Sequence, residues 1–161
     1  FDFGAGSPVI EGAHVVVSVD ALADPTADPQ AIPGSAAVVT GGPAARADIA
    51  AWVLALQASR GDRAMVAVIA VGATGTRFAV EDFVAAGAVI DALAEVGIDY
   101  TSPEAAAAAG AWAALRNAGS HVLSASVAGQ ELLAAGGSLD AARDAWSAAG
   151  IRVLREFGGT L

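Results

Sequence analysis

Apolar positions along the chain follow two rhythms. Unbroken, largely β-branched runs occur at residues 14–19 (HVVVSV), 36–40 (AAVVT) and 64–71 (AMVAVIAV), and each reads as a short buried strand. The third run is apolar at consecutive positions, as a strand covered on both faces of a parallel sheet should be. A fourth run, 151–157 (IRVLREF), reads as a final strand. Elsewhere the spacing is helical. Ile49, Trp52, Val53 and Leu56 fall at i, i+3, i+4 and i+7, in a helix opened by Gly41-Gly42-Pro43, running to about residue 59 and closed by Gly61. Phe83, Ala86, Gly87, Ile90 and Leu93 share one side of a helix over 81–96, followed by Gly97.

Ser102-Pro103-Glu104 is a helix start, with a capping hydroxyl, a proline at the first position and an acid in the first turn. That helix is expected to run to about residue 117, and its AAAAAG segment permits close approach of another backbone. A helix over 120–135 is expected to stop at Gly136-Gly137. Another follows over 139–148, capped by Ser138. Residues 1–12 read as a loop, and 20–34, with Pro25, Pro29 and Pro33, as a long surface loop. Apolar strands alternating with amphipathic helices predict an α/β layered domain with a largely parallel sheet flanked by helices. In such sheets ligands sit outside the carboxyl ends of the strands. No internal repeat is visible.

Composition narrows the functional classes. The chain has 161 residues, enough for one domain with a proper core, and is 55% hydrophobic, which excludes disorder. The longest strongly apolar stretch, 64–72, is far too short to span a bilayer. The formal net charge is −9, from 17 acids and 8 bases, and no basic stripe is present. Nucleic acid and an anionic membrane surface are therefore not expected partners. An acidic chain can still bind an anionic metabolite through a local arginine, a helix N-terminus or a bound metal. The lack of cysteine excludes disulfides and thiolate metal sites and fits a cytoplasmic protein. The first residue is Phe1, and FDFGAGSP lacks the features of a signal peptide, so the chain reads as the C-terminal part of a longer one.

Candidate chemistry concentrates after the third strand, in GATGTRFAVED. Gly72 and Gly75 allow unusual backbone angles and close ligand approach. Thr74 and Thr76 add hydroxyls, and Arg77 offers a two-pronged fork to phosphate, sulfonate or carboxylate. Glu81 and Asp82 could hold Mg²⁺, which takes one or two protein carboxylates plus substrate oxygens. The plain reading stands beside this one. Acids in a first helical turn are favoured anyway, by about 0.3–1 kcal/mol each, and Arg77 could form a weak surface pair with the acid four residues on, Glu81. The segment is not a Walker motif, since it lacks the lysine and the spacing.

AVGATGTRFAVEDFVAAGAVIDAL resembles the part of the 2-phosphosulfolactate phosphatase family in which a glycine-rich turn leads into an acidic pair and an AAGA helix. SASVAGQELLAAGGSLDAARDA continues the resemblance at Gly129, Leu132, Gly136 and Asp140, and FDFGAGSP resembles the family's loop at Phe1, Asp2, Gly4, Ser7 and Pro8. The resemblance runs from about residue 66 to 144 and is patchy before that. It implies an α/β, Mg²⁺-dependent phosphatase of a small phosphorylated hydroxy-acid, from a family tied to coenzyme M biosynthesis. Glu81 and Asp82 become candidate catalytic and metal-holding groups, and Arg77 an anion clamp. Gly72, Thr74, Gly75 and Thr76 would line the phosphate pocket, with Ser7 nearby. The chain departs from the family in two places. Ala5-Gly6 stands before Ser7-Pro8 where an asparagine is expected, and SVDALADPTADP replaces a threonine-rich stretch, leaving Asp20, Asp24 and Thr26 as polar stand-ins.

Other residues read as structural. His14 and His121 have no metal-site spacing, and no G-x-S-x-G elbow is present. Ser124 and Ser126 read as facing a helix interface or accepting local backbone bonds. Trp52, Trp112 and Trp146 read as core or interface residues. Asp20, Asp24 and Asp28 read as solvated loop acids, with a weak divalent-cation site as the minority reading. Two function classes result: the Mg²⁺-dependent phosphatase, and a catalytically inactive relative acting as a ligand-binding or homo-oligomeric scaffold. In the second, alanine-rich helices such as the one from Pro103 pack subunit against subunit.

Overall fold

A computed structural model describes residues 1–4, 6–23, 32–71 and 77–158. Five strands form one sheet: β1 (Asp2–Phe3), β2 (Val15–Val19), β3 (Ala37–Thr40), β4 (Val66–Ala70) and β5 (Arg152–Arg155), in the spatial order β1-β4-β2-β3-β5. The first four are mutually parallel, and β5 runs antiparallel to β3 at one edge, with an irregularity between Val38 and Val39. The helices are α1 (Arg46–Arg60), α2 (Val80–Glu95), α3 (Pro103–Leu115), α4 (Gly119–Ala125), α5 (Val127–Ala134) and α6 (Asp140–Ser147). The fold is thus mixed α/β on a mostly parallel sheet, as the alternation of apolar runs and amphipathic segments predicts.

Alternation along β2 divides the core in two. Val15, Val17 and Val19 face the helices and pack with Ile49 and Val53 of α1, Val89 and Leu93 of α2, and Ala105 and Ala108 of α3. Val16 points to the opposite face with Val38, Ala67 and Ile69, where Ile10, Ile32 and Ala36 cover it and no α-helix does so among the described residues. Because side chains alternate with a period of two, both faces must be covered for a run such as VVV to be buried throughout.

Helix α2 lies innermost, with Val84 through Ile90 all buried. It crosses α3 closely because both present small residues. A Cβ built on Gly87 would collide with the Ala108 carbonyl oxygen. The AAAAAG segment of α3 supplies the other half of that close approach. Ser102 caps α3 as its sequence predicts, accepting the Ala105 N–H at 3.2 Å. Gly61 adopts a left-handed φ of 68° at the end of α1.

Two sequence expectations need correction. The single helix expected over 120–135 is two helices, because Ser126 is extended (φ −64°, ψ 155°) and its hydroxyl accepts the Gly129 N–H at 3.1 Å. A helix start outcompetes continuation there. Residues 1–12 are not all loop, since Asp2 and Phe3 pair with Ile69 and Ala70. Two residues are too few to leave a periodic signal.

Candidate functional site

Strands β2, β3 and β4 all end on the same edge of the sheet, and a cavity of about 480 Å³ opens there. Ser18 and Thr40 are register partners at the ends of β2 and β3, and Thr40 pairs onward with Arg152 of β5. All three line the cavity, with Asp20, Val71, Gly41, Gly42 and the segment that follows α6. Gly42 is required by packing, because a Cβ there would collide with the Ala145 carbonyl oxygen of α6. Arg152 forms no ion pair among the described residues. Sequence reading missed Ser18, Thr40 and Arg152. The available signal was a polar residue closing each of two β-branched runs, VVVS and VVT, at the edge where parallel sheets bind ligands.

Glu81 and Asp82 open α2 and are both buried, at 1% and 2% exposure. No side chain caps this helix; Ala79 holds the N-cap position. The two carboxylates have different surroundings. Asp82 Oδ1 accepts the Ala21 N–H at 2.7 Å, fastening α2 to the turn that leaves β2. Both Glu81 oxygens are buried and accept no hydrogen bond among the described residues. Favourable placement at a helix N-terminus contributes about 0.3–1 kcal/mol. A buried carboxylate left without partners costs about 1–3 kcal/mol or more. The larger cost decides: Glu81 is not explained by helix electrostatics alone.

Arg77 lies two residues before α2's N-cap, with its fork engaged. Its Nη1 and Nη2 donate to Oε1 and Oε2 of Glu131 in α5, at 2.9 and 2.6 Å, and both side chains are about half exposed. The hydrogen bonds and charge of Glu131 raise the Arg77 pKa, and the more distant charge of Glu81 adds to the rise. The same hydrogen bonds hold Glu131 below the ordinary glutamate range. Arg77 therefore stands within electrostatic reach of Glu81 but hydrogen-bonds elsewhere.

Ser7, expected beside the phosphate pocket, donates its hydroxyl to Asp2 Oδ2 at 2.6 Å and accepts the Val9 N–H at 3.3 Å. It also lines a second cavity, with Ile10 and residues 33–36. Its hydrogen bond, followed by that of the Phe3 N–H, lowers the Asp2 pKa against the opposing effect of burial. Gly72, Thr74, Gly75 and Thr76 lie outside the described residues, as do Asp24, Thr26 and Asp28.

The residues read as structural fall accordingly. His14 Nδ1 accepts the Met65 N–H at 2.9 Å. Trp112 is buried against α2, and Trp52 and Trp146 pack against the main core.

Glu81 suits a hard cation, because a metal ion would supply the partner its two oxygens lack. No cluster of three or more acids or histidines able to hold a metal is found among the described residues. Mg²⁺ takes as few as one or two protein carboxylates, with water and substrate oxygens completing its shell; neither Glu81 nor Asp82 lines the cavity at the strand ends. Among the described residues no helix is long and apolar enough to cross a membrane. No protein-family model, no curated protein and no solved structure matches the chain.

Proposed function

We propose that the chain is a Mg²⁺-dependent phosphatase of a small phosphorylated hydroxy-acid, of the 2-phosphosulfolactate phosphatase type. The observation that carries this reading is Glu81: a carboxylate enclosed at the start of α2, with both oxygens unpartnered among the described residues. A buried carboxylate without partners is costly and calls for an explanation, of which a bound ion is one. The sequence resemblance assigns the same residue to the same task.

In this reading Glu81 holds the cation, and Asp82 fixes the helix start through the Ala21 N–H. The glycine- and threonine-rich residues 72–76, which follow β4 in sequence, are the phosphate-binding candidates that the resemblance implies. Bound Mg²⁺ supplies Lewis-acid polarisation of a phosphoryl oxygen. Arg77 neutralises charge on the substrate after exchanging Glu131 for it, a replacement of one oxyanion by another at a guanidinium fork. The substrate is then a small soluble anion that approaches an acidic protein through a local patch of positive character. Cytoplasmic residence accords with the absence of cysteine.

The Arg77–Glu131 pair favours a second reading. A fork already filled by α5 serves a ligand-binding or homo-oligomeric relative without catalysis equally well. A panel of small phosphate esters assayed for phosphate release, with Mg²⁺ and with EDTA, separates the two. Steady Mg²⁺-dependent turnover supports the phosphatase, and no release from any ester leaves the non-catalytic relative.

A further inference from the structure

The cavity at the strand ends contains chemistry that the phosphatase reading does not use. Ser18, Thr40 and Arg152 lie side by side across β2, β3 and β5, at strand spacings of about 4.8 Å. Within β2, β3 and β4 the neighbours on this face are apolar, Val16, Val38, Ala67 and Ile69, and the one other cation nearby among the described residues, Arg155 opposite Val38, is committed to the Ala36 and Ile32 carbonyls. A polar row at the rim of an apolar face, opening on a cavity of about 480 Å³, has the size and make-up of a metabolite pocket.

We propose that this cavity binds a small hydroxylated carboxylate, with its carboxylate on Arg152 and its hydroxyl groups on Thr40 and Ser18. Among the described residues Arg152 is the only cation lining the cavity, and no acid pairs with it. A guanidinium presents parallel N–H donors that match the two oxygens of a carboxylate. Charge chooses carboxylate over phosphate. Asp20 also lines the cavity, with Oδ1 accepting the Leu22 N–H. One arginine beside one aspartate tolerates a planar monoanion, whereas a phosphate dianion meets more repulsion than one guanidinium offsets. Residues Gly41 and Gly42 have no side chain to fill the floor, and the tight packing of Gly42 against Ala145 fixes the opposite wall.

Titration of the ¹⁵N-labelled protein with glycerate, followed by amide chemical shifts, tests the assignment. Saturable shifts confined to residues 18–20, 40–42 and 148–152 are expected. Arg152→Ala should weaken the affinity roughly tenfold or more, the equivalent of losing charge-assisted hydrogen bonds. Arg152→Lys should retain part of the binding, and an otherwise unchanged spectrum shows that each variant is folded. Glu81→Gln should leave the titration as in the parent. The proposal is overturned by absence of saturable shifts, by equal affinity in Arg152→Ala, by loss of binding in Glu81→Gln, or by inorganic phosphate binding these residues more tightly than glycerate. Because the titration contains no phosphate ester and no Mg²⁺, it stands or falls separately from phosphatase activity.

Discussion

Arg77 and Glu131, 54 residues apart in sequence, meet with both prongs of the guanidinium on both oxygens of the carboxylate, at 2.9 and 2.6 Å. The pair joins the approach to α2 to the middle of α5, and both residues are substantially exposed. Exposed ion pairs contribute little to stability, so Glu131→Gln should leave the thermal midpoint nearly unchanged. If Arg77 receives substrate, releasing its fork should lower KM for the phosphorylated substrate several-fold at similar kcat. An unchanged KM would assign Arg77 to holding α5 instead.

Asp82 fastens α2 to the turn after β2 through the buried Ala21 N–H. Hydrogen bonds to charged groups contribute about 1.5–3 kcal/mol. Asp82→Ala should therefore lower unfolding free energy by about 1.5–3 kcal/mol in urea titration. A loss of a few tenths would show that the turn stays in place without the carboxylate.

Gly87 and Gly110 both sit inside helices, yet opposite outcomes are expected on substitution by alanine. Helix propensity favours alanine by about 0.8–1 kcal/mol at either site. At Gly110 nothing lies within 4 Å of an added Cβ, so Gly110→Ala should be stabilising. At Gly87 the added atom meets backbone of α3, which cannot swing away, and overpacking costs about 1–3 kcal/mol. Gly87→Ala should be destabilising on balance. Equilibrium unfolding of the two variants decides, and the same sign for both would contradict the close crossing of α2 and α3.

The Asp2 carboxyl titrates below its ordinary value because Ser7 and the Phe3 N–H stabilise its charged form. A depressed carboxyl contributes stability that is fully present above its unfolded pKa of about 3.9 and is lost as pH falls through the lower folded value. Ser7→Ala should therefore be less stable than the parent at pH 5–7. The gap should shrink as the pH is lowered toward 2. Urea midpoints measured across that range would show a constant gap if Asp2 is not the group responsible.

Local chemistry was legible in the sequence, and pairing between distant segments was not. β-Branched runs gave β2, β3 and β4, and the Ser102-Pro103-Glu104 start gave α3, because burial and capping act over a few residues. Ser126 carried its own capping signal, but the apolar periodicity around it hid the break. Strand register decided the rest. Only the antiparallel docking of β5 brings Arg152 beside Thr40, and nothing within IRVLREF encodes that neighbour. Glu81 and Asp82 were found as a pair, yet their separate fates depend on the Ala21 N–H, 61 residues away from Asp82. The partner of Arg77 was likewise beyond reach, since Glu131 meets it through the placement of α5 and not through local spacing.

The proposed function requires Glu81 to be a carboxylate kept buried for a cation. Calorimetric titration of Mg²⁺ into the parent and into Glu81→Gln tests this most directly. One saturable equivalent in the parent and none in the variant is the predicted result. Indistinguishable titrations, whether both bind or neither does, would contradict it.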